Sequence, residues 1–381
     1  MLDVETLHPS RLAPADTALW RSMAAAEPAF ANPLLGPDFT QAVGRVREDA
    51  RVAVIRRGGE TLGFLPHHRR PGRLARAIGS PLSDYHGIVS RPEPGFSAED
   101  VLHAADLGVF RYTGLIDPFA VFGGVGEPQS AFVIAPEGGA DDYLEAVRAA
   151  SPKKIKNYRR LDHKLEREMG QVRLVAPDTS RASFDLLIAW KREQLQRTGL
   201  HDFLRPAWTS GLLIDLFERQ HGDFHGLLIG LYAGDELVAG HFGVRLGGVY
   251  HPWIASTNPA FGAWSPGQLF FLRAIAAMPA LGLTHYDLGP GHDHYKRAYA
   301  LTQTCALDGA VTAPGMGGVV ASSVEGAWNL AGGRGSGVVA RVRRRVDAIA
   351  SVELTVGGRM RGFVDAVTGQ SRRRAGAHEV G

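Results

Sequence analysis

Between Gly226 and Val311 the chain alternates apolar stretches with short turns in an order that few folds accommodate. Gly226 to Tyr232, the turn Ala233-Gly234-Asp235-Glu236, Leu237 to Leu246, the turn Gly247-Gly248 and Val249 to Ser256 predict an antiparallel meander. Glycine supplies the positive φ that tight hairpins need. A helix over Ser265 to Met278 follows at once, then short strands over Leu283 to Leu288 and Gln303 to Val311. Meander, helix, strand, strand predicts a mixed sheet covered by helices. The helix is apolar on most sides, through Leu269, Phe270, Phe271, Leu272, Ile275 and Met278, so it is expected to be sandwiched against the sheet.

Upstream, the first 30 residues read as helix and loop, followed by a short helix at Asp38 to Arg45. Strands are expected at Arg51 to Arg56, Thr61 to Leu65, Gly87 to Ser90, Phe110 to Leu115 and Ala131 to Ile134, with a helix at Ala98 to Ala105. Ser151-Pro152 separates a helix over Asp141 to Ala150 from one ending at Met169-Gly170. A strand at Gln171 to Ala176 and helices at Ser180 to Thr198 and Trp208 to Gln220 lead into the meander. The expected domains are a mixed α/β lobe over residues 1–140, a second over 141–312, and a basic helical and flexible tail over 313–381. In the tail, helices are expected at Val319 to Leu330 and Gly337 to Ala350, with the last ten residues disordered.

Composition narrows the function. The net charge is +3, but from Arg334 onward ten arginines face four acids, so the rest of the chain sums to −3. Basic residues gather in that tail and at Lys153 to Arg167 rather than over a whole face, which predicts local anionic ligands and no DNA. The run at Lys153 to Arg167 reads either as a salt-bridged solvated face, with Asp162, Glu166 and Glu168 interspersed, or as a contact for an anionic group. The tail, with Arg341, Arg343, Arg344 and Arg345 among valines, reads either as a weak membrane-surface contact or as an unstructured extension. No basic leader or uncharged span of membrane length is visible, so a cytoplasmic location is expected. The single cysteine, Cys305, excludes an intramolecular disulfide and reads as a buried small side chain.

The chemistry concentrates between Tyr250 and Tyr299. Ser265 suits an N-cap, Pro266 the first helical position, and Gly267, before Gln268, lets a ligand approach the backbone. The free amides and positive dipole end of that helix predict a phosphate site; the bland alternative is an ordinary helix start. A thioester along Val249 to Ser256 would meet splayed backbone N–H groups. Asp287-Leu288-Gly289-Pro290-Gly291 ends a strand in a sharp turn, where Asp287 is otherwise a turn cap and Lys296 a solvated surface residue. Tyr295 and Tyr299 read as packing residues or as the acid that protonates a leaving thiolate. Candidate bases are His241, His251, His292 and His294, with His251 preferred. His292, Asp293 and His294 are consecutive and converge poorly, so no metal is expected.

The order of these elements resembles the acetyltransferase domain of the CelD-like and FemAB-like branch of the GNAT superfamily. The resemblance rests on the Ser265-Pro266-Gly267 helix start and on a pattern met by Asp287, Gly289, Gly291, Tyr295 and Lys296. Further support comes from Trp190-Lys191-Arg192-Glu193-Gln194 with Gly199, from the basic run at Lys153 to Arg160, and more loosely from Asn32 to Phe39 and Ser83-Asp84-Tyr85. Leu288 replaces the usual aromatic, and His292 stands where an acid is common. The resemblance covers about residues 15 to 312. It implies two tandem GNAT-like lobes and direct transfer of an acyl group, expected to be acetyl, from acyl-CoA to an amine of a sugar, polysaccharide precursor or small metabolite. The implied catalytic residues are His251, Tyr295 and Asp287. Ser256, Ser265, Pro266, Gly267, Gln268, Gly289, Gly291 and Lys296 would hold the acyl-CoA, and Asp84, Tyr85, Lys191 and Tyr250 the acceptor. The competing expectations are a Fem-type transferase using aminoacyl-tRNA and a non-catalytic module of polysaccharide synthesis.

Overall fold

The computed structural model describes residues 2–291, 294–315, 338–355, 357–362 and 364, with residues 294, 295, 338–341, 343 and 344 described by their backbone alone. The chain runs β1 (Asp3–Leu7), α1 (Pro14–Ala26), α2 (Pro37–Val46), β2 (Ala50–Arg57), β3 (Glu60–Arg70), β4 (Leu74–Ala77), β5 (Val89–Ser90), α3 (Ala98–Ala104) and β6 (Val109–Leu115). It continues through β7 (Glu127–Ile134), α4 (Ala140–Ala150), α5 (Pro152–Met169), β8 (Val172–Val175), α6 (Arg181–Arg197), α7 (Ala207–Glu218), β9 (Phe224–Ala233) and β10 (Glu236–Leu246). Then come β11 (Val249–Thr257), α8 (Pro266–Ala277), β12 (His285–Pro290), α9 (His294–Tyr299), β13 (Thr302–Thr312) and α10 (Val338–Val352). The mixed α/β class and the meander are as the sequence predicts. The reading of the first 30 residues as helix and loop is corrected: Asp3–Leu7 is a strand paired antiparallel with β2. Cys305 is exposed rather than buried. The expected helix at Val319 to Leu330 and the last ten residues lie outside the described residues.

Two compact units emerge, one of residues 1–128, 195–212 and 306–381, the other of residues 129–194 and 213–305. In the first, the strand order is β1-β2-β3-β4-β6-β13; in the second it is β8-β9-β10-β11-β12-β7. Each sheet has four antiparallel strands, then a parallel neighbour (β4 with β6; β11 with β12), then an antiparallel sixth strand. The sixth strands are crossed in chain order. β7 follows β6 but pairs with β12, and β13 follows β12 but pairs with β6.

The first unit's core includes Ile55, Leu65, Val101, Leu102, Phe110 and Leu115. It also holds a polar cluster. Arg47, 1% exposed, grips Asp49 with two hydrogen bonds of 2.8 Å, Arg70 reaches the same carboxylate at 3.1 Å, and His68 Nδ1 lies 3.1 Å from it. The same arginines meet the end of α10. Arg47 donates to the Ser351 carbonyl and Arg70 to that of Ala350, while Arg76 and Arg111 both bind Asp347 at 3.0 Å. Cations at a helix C-terminus complement its dipole and cap orphan carbonyls. Trp208 beneath Arg47 donates to Val352 O. The reading of the tail as unstructured therefore fails for α10.

His67, His68 and His86 of this unit are buried and held neutral, burial lowering them to about 4, 4 and 3. Each folded value lies below the unfolded one near 6.5, so the unfolded chain takes up protons first as pH falls. Stability is full above about pH 6.5 and is lost on descent toward about pH 4. At pH 5 the loss is up to about 2 kcal/mol per histidine. Urea unfolding is expected to show a lower midpoint at pH 5 than at pH 7; equal midpoints would contradict this burial.

Candidate functional site

In the second unit, α8 buries Leu269, Phe270, Phe271 and Ile275 against a core that includes Ile229, Leu231, Tyr250 and Tyr286. A fully buried Phe contributes roughly 1.5–3 kcal/mol, so the helix is held firmly on the sheet. Its start then falls beside the end of β11: a Cβ added to Gly267 would sit 3.2 Å from Thr257 Cγ2.

The parallel pairing of β11 with β12 covers Val249↔His285 and Tyr250↔Tyr286 and stops there. β12 instead turns to β7, through Tyr286↔Ile134, Asp287↔Val133 and Pro290↔Ala131. From His251 and Asp287 onward the two parallel strands share no ladder among the described residues, so their edges part at this point. On its other side β11 carries a bulge: Phe242 pairs with Ile254 and Gly243 with Pro252, leaving Trp253 as the extra residue. Gly243 makes that bulge possible, since a Cβ there would fall 2.0 Å from the His251 carbonyl oxygen.

His251 is fully buried, and its Nδ1 lies 3.7 Å from Asp287 Oδ1. The same Oδ1 accepts the Gly289 amide at 2.8 Å, so Asp287 both closes the turn and faces the imidazole. Gly289 and Gly291 hold φ of +70° and +136°, which glycine alone adopts without strain. Lys296 is buried rather than solvated, and its ammonium donates to Pro290 O at 2.8 Å.

At the start of α8, Ser265 stands at the N-cap position, yet it is left-handed (φ 53°, ψ 51°) and its side chain makes no capping bond, which corrects the expected cap. Pro266 has no N–H, and the amides of Gln268 and Leu269 both donate to Ser265 O. The Gly267 amide is thus the open donor of the first turn among the described residues. Gln268 is held from the side by the Tyr299 hydroxyl, 2.9 Å from its Oε1. Tyr299 is buried against Phe271, and burial followed by the nearby Tyr158 raises its pKa, so it serves as a packing and positioning residue here. Ser256 near the end of β11 is 8% exposed, and its hydroxyl has no hydrogen-bond partner among the described residues. An orphaned hydroxyl costs stability unless a ligand meets it.

Of the remaining candidates, Tyr250 is a core residue whose hydroxyl donates to Leu227 O, and Lys191 lies half-buried on α6. His241 contacts the Tyr286 hydroxyl at 2.6 Å, and burial, then the charge of Lys191, lowers it to about 3. A base that weak is neutral but poorly matched to neutral pH. Asp84 and buried Tyr85 belong to the first unit. His292 and Asp293 lie outside the described residues, as do the side chains of His294 and Tyr295. Among the described residues no cluster of three potential metal ligands occurs. Gly243 and its bulge escaped the sequence reading; the available signal was a glycine inside a strand.

The first unit has its own helix between parallel strands, α3, but that helix is closed. Ser97 Oγ accepts the Asp100 amide, and the Asp100 carboxylate accepts the Ser97 amide. A carboxylate therefore occupies the position where an anion would bind.

A family model described as an acetyltransferase (GNAT) domain matches residues 152–297. This segment is a GNAT acetyltransferase domain. The match spans α5 through the first four residues of α9, so the start of α8, the β11/β12 pair and the His251–Asp287 contact all lie inside the GNAT domain. No curated protein matches the chain. Among solved structures it is similar to FemX (11% identity, 80% of this chain and 96% of that one, TM-score 0.48). It is also similar to a tandem GNAT protein from the clavulanic acid biosynthesis pathway (10%, 83% and 100%, 0.46) and to L-PGS from Bacillus licheniformis (15%, 73% and 88%, 0.46).

Proposed function

We propose that the second unit binds an acyl-CoA and transfers its acyl group directly to an amine of a sugar, polysaccharide precursor or small metabolite. The observation that carries this reading is the interruption of the β11/β12 ladder after two residue pairs, beside the open end of α8. The residues present suit a phosphopantetheine thioester. The Gly267 amide and helix dipole would hold a phosphate, the Ser256 hydroxyl would gain a partner, and backbone amides of β11 beyond its ladder with β12 would polarise the thioester carbonyl. The amine nitrogen forms the new C–N bond as the C–S bond breaks. His251 takes the proton lost by nitrogen, Asp287 stabilises the resulting imidazolium, and Tyr295 protonates the departing thiolate.

Because α3 is closed by Asp100, titration calorimetry is expected to give one CoA per chain; two would overturn this assignment. Gly267→Val, which shields the open amide, is expected to weaken CoA about tenfold. Unchanged affinity would remove the phosphate from the end of α8.

A further inference from the structure

The outward face of α5 carries Lys153, Lys156, Arg160, Lys164 and Arg167 at spacings of three and four residues, opposite buried Ile155, Leu161 and Leu165. This places the cations in one stripe about 20 Å long. The salt-bridged reading of this helix does not hold for its first half. Asp162 is turned inward to Arg273 at 2.7 Å, and Glu168 meets Lys164 and Trp264. Lys153, Lys154, Lys156, Arg159 and Arg160 are exposed, and among the described residues none pairs with a carboxylate. Five cations also crowd the positive end of a helix dipole, an unfavourable arrangement that an anion outside the helix would relieve.

The helix that carries the stripe lies close to the candidate donor site. α5 packs on α8 through Asp162–Arg273, and Tyr158 lies near Tyr299, which holds Gln268. Its stripe is far longer than one phosphate requires, while the cradle itself is slight, with Gly267 as its open amide and the Lys296 ammonium donating to Pro290 O. A nucleic acid would want a broadly basic surface, whereas the chain before Arg334 sums to −3.

On the basis of the thioester reading above, we infer that the α5 stripe docks an acidic carrier protein that presents the acyl group on a phosphopantetheine arm. One phosphate then reaches α8, and the carrier's carboxylates meet the lysines and arginines. The test uses a bacterial acyl carrier protein in its acetylated holo form, with full-length wild type and a Lys153→Glu, Lys156→Glu, Arg160→Glu variant. Acidic residues suit the start of a helix, so the variant is expected to fold, as thermal melting would show. Wild type should bind the carrier with affinity falling about tenfold on going from low to moderate salt, and the variant about a hundredfold more weakly. Lysines placed on the carrier should restore variant binding. Equal carrier binding by both proteins overturns the inference. So does an equal loss of CoA affinity in the variant, which assigns the stripe to the nucleotide, or binding of RNA or phosphatidylglycerol vesicles in place of the carrier. Wild type that binds neither carrier nor CoA instead sinks the acyltransferase reading itself.

Discussion

Asp49→Ala is expected to lower the unfolding free energy of the first unit by about 3 kcal/mol, because removing one member of a buried ion cluster strands the others. The carboxylate is 21% exposed, but Arg47 is 1% and Arg70 9% exposed, and neither can turn to water. Burial alone would raise the Asp49 pKa. Hydrogen bonds from His68 and Arg47 outweigh it and hold the carboxyl well below the usual carboxylate range. His68, lowered to about 4, is neutral at pH 7, so the charge is balanced there by the two arginines. With a depressed folded value, the contribution is present above about pH 4 and fades only as pH falls through that value. The deficit of the variant should thus be the same at pH 7 and pH 6. Urea titration monitored by tryptophan fluorescence would measure it, since Trp208 lies under Arg47. A loss below about 1 kcal/mol would show that solvent already screens the cluster.

His251→Gln is expected to reduce kcat by about 10²- to 10⁴-fold, the usual yield of general-base catalysis, with little change in affinity for CoA. Asp287→Asn is expected to cost less, and the double variant little more than His251→Gln alone, because the pair acts as a unit. If His251→Gln changes kcat less than threefold while CoA still binds, the proton goes elsewhere.

Much of the second unit was legible because its signals are local. The glycines of the meander turns, Pro266 and Gly267 at α8, and the Asp287–Gly289 turn each act within a few residues. Asp3–Leu7 was missed because it is a short edge strand of mixed polarity, and Leu74–Ala77 because four residues give almost no period. The contact of His251 with Asp287 spans 36 positions, and that of Arg76 with Asp347 spans 271, so no spacing rule finds either. The left-handed Ser265 was unreadable for another reason: serine is a favoured cap, and here the preceding turn through Trp264 sets its backbone instead.

The traded sixth strands impose a timetable on synthesis. A ribosome finishes β6 long before β13 exists, and the intervening β7 joins β12. Until residue 312 has emerged, β6 has a bare flank of amides and carbonyls, the kind of template on which nascent chains stick to one another. A message cut short after β12 would therefore yield a polypeptide whose earliest-made half is the part left unfinished.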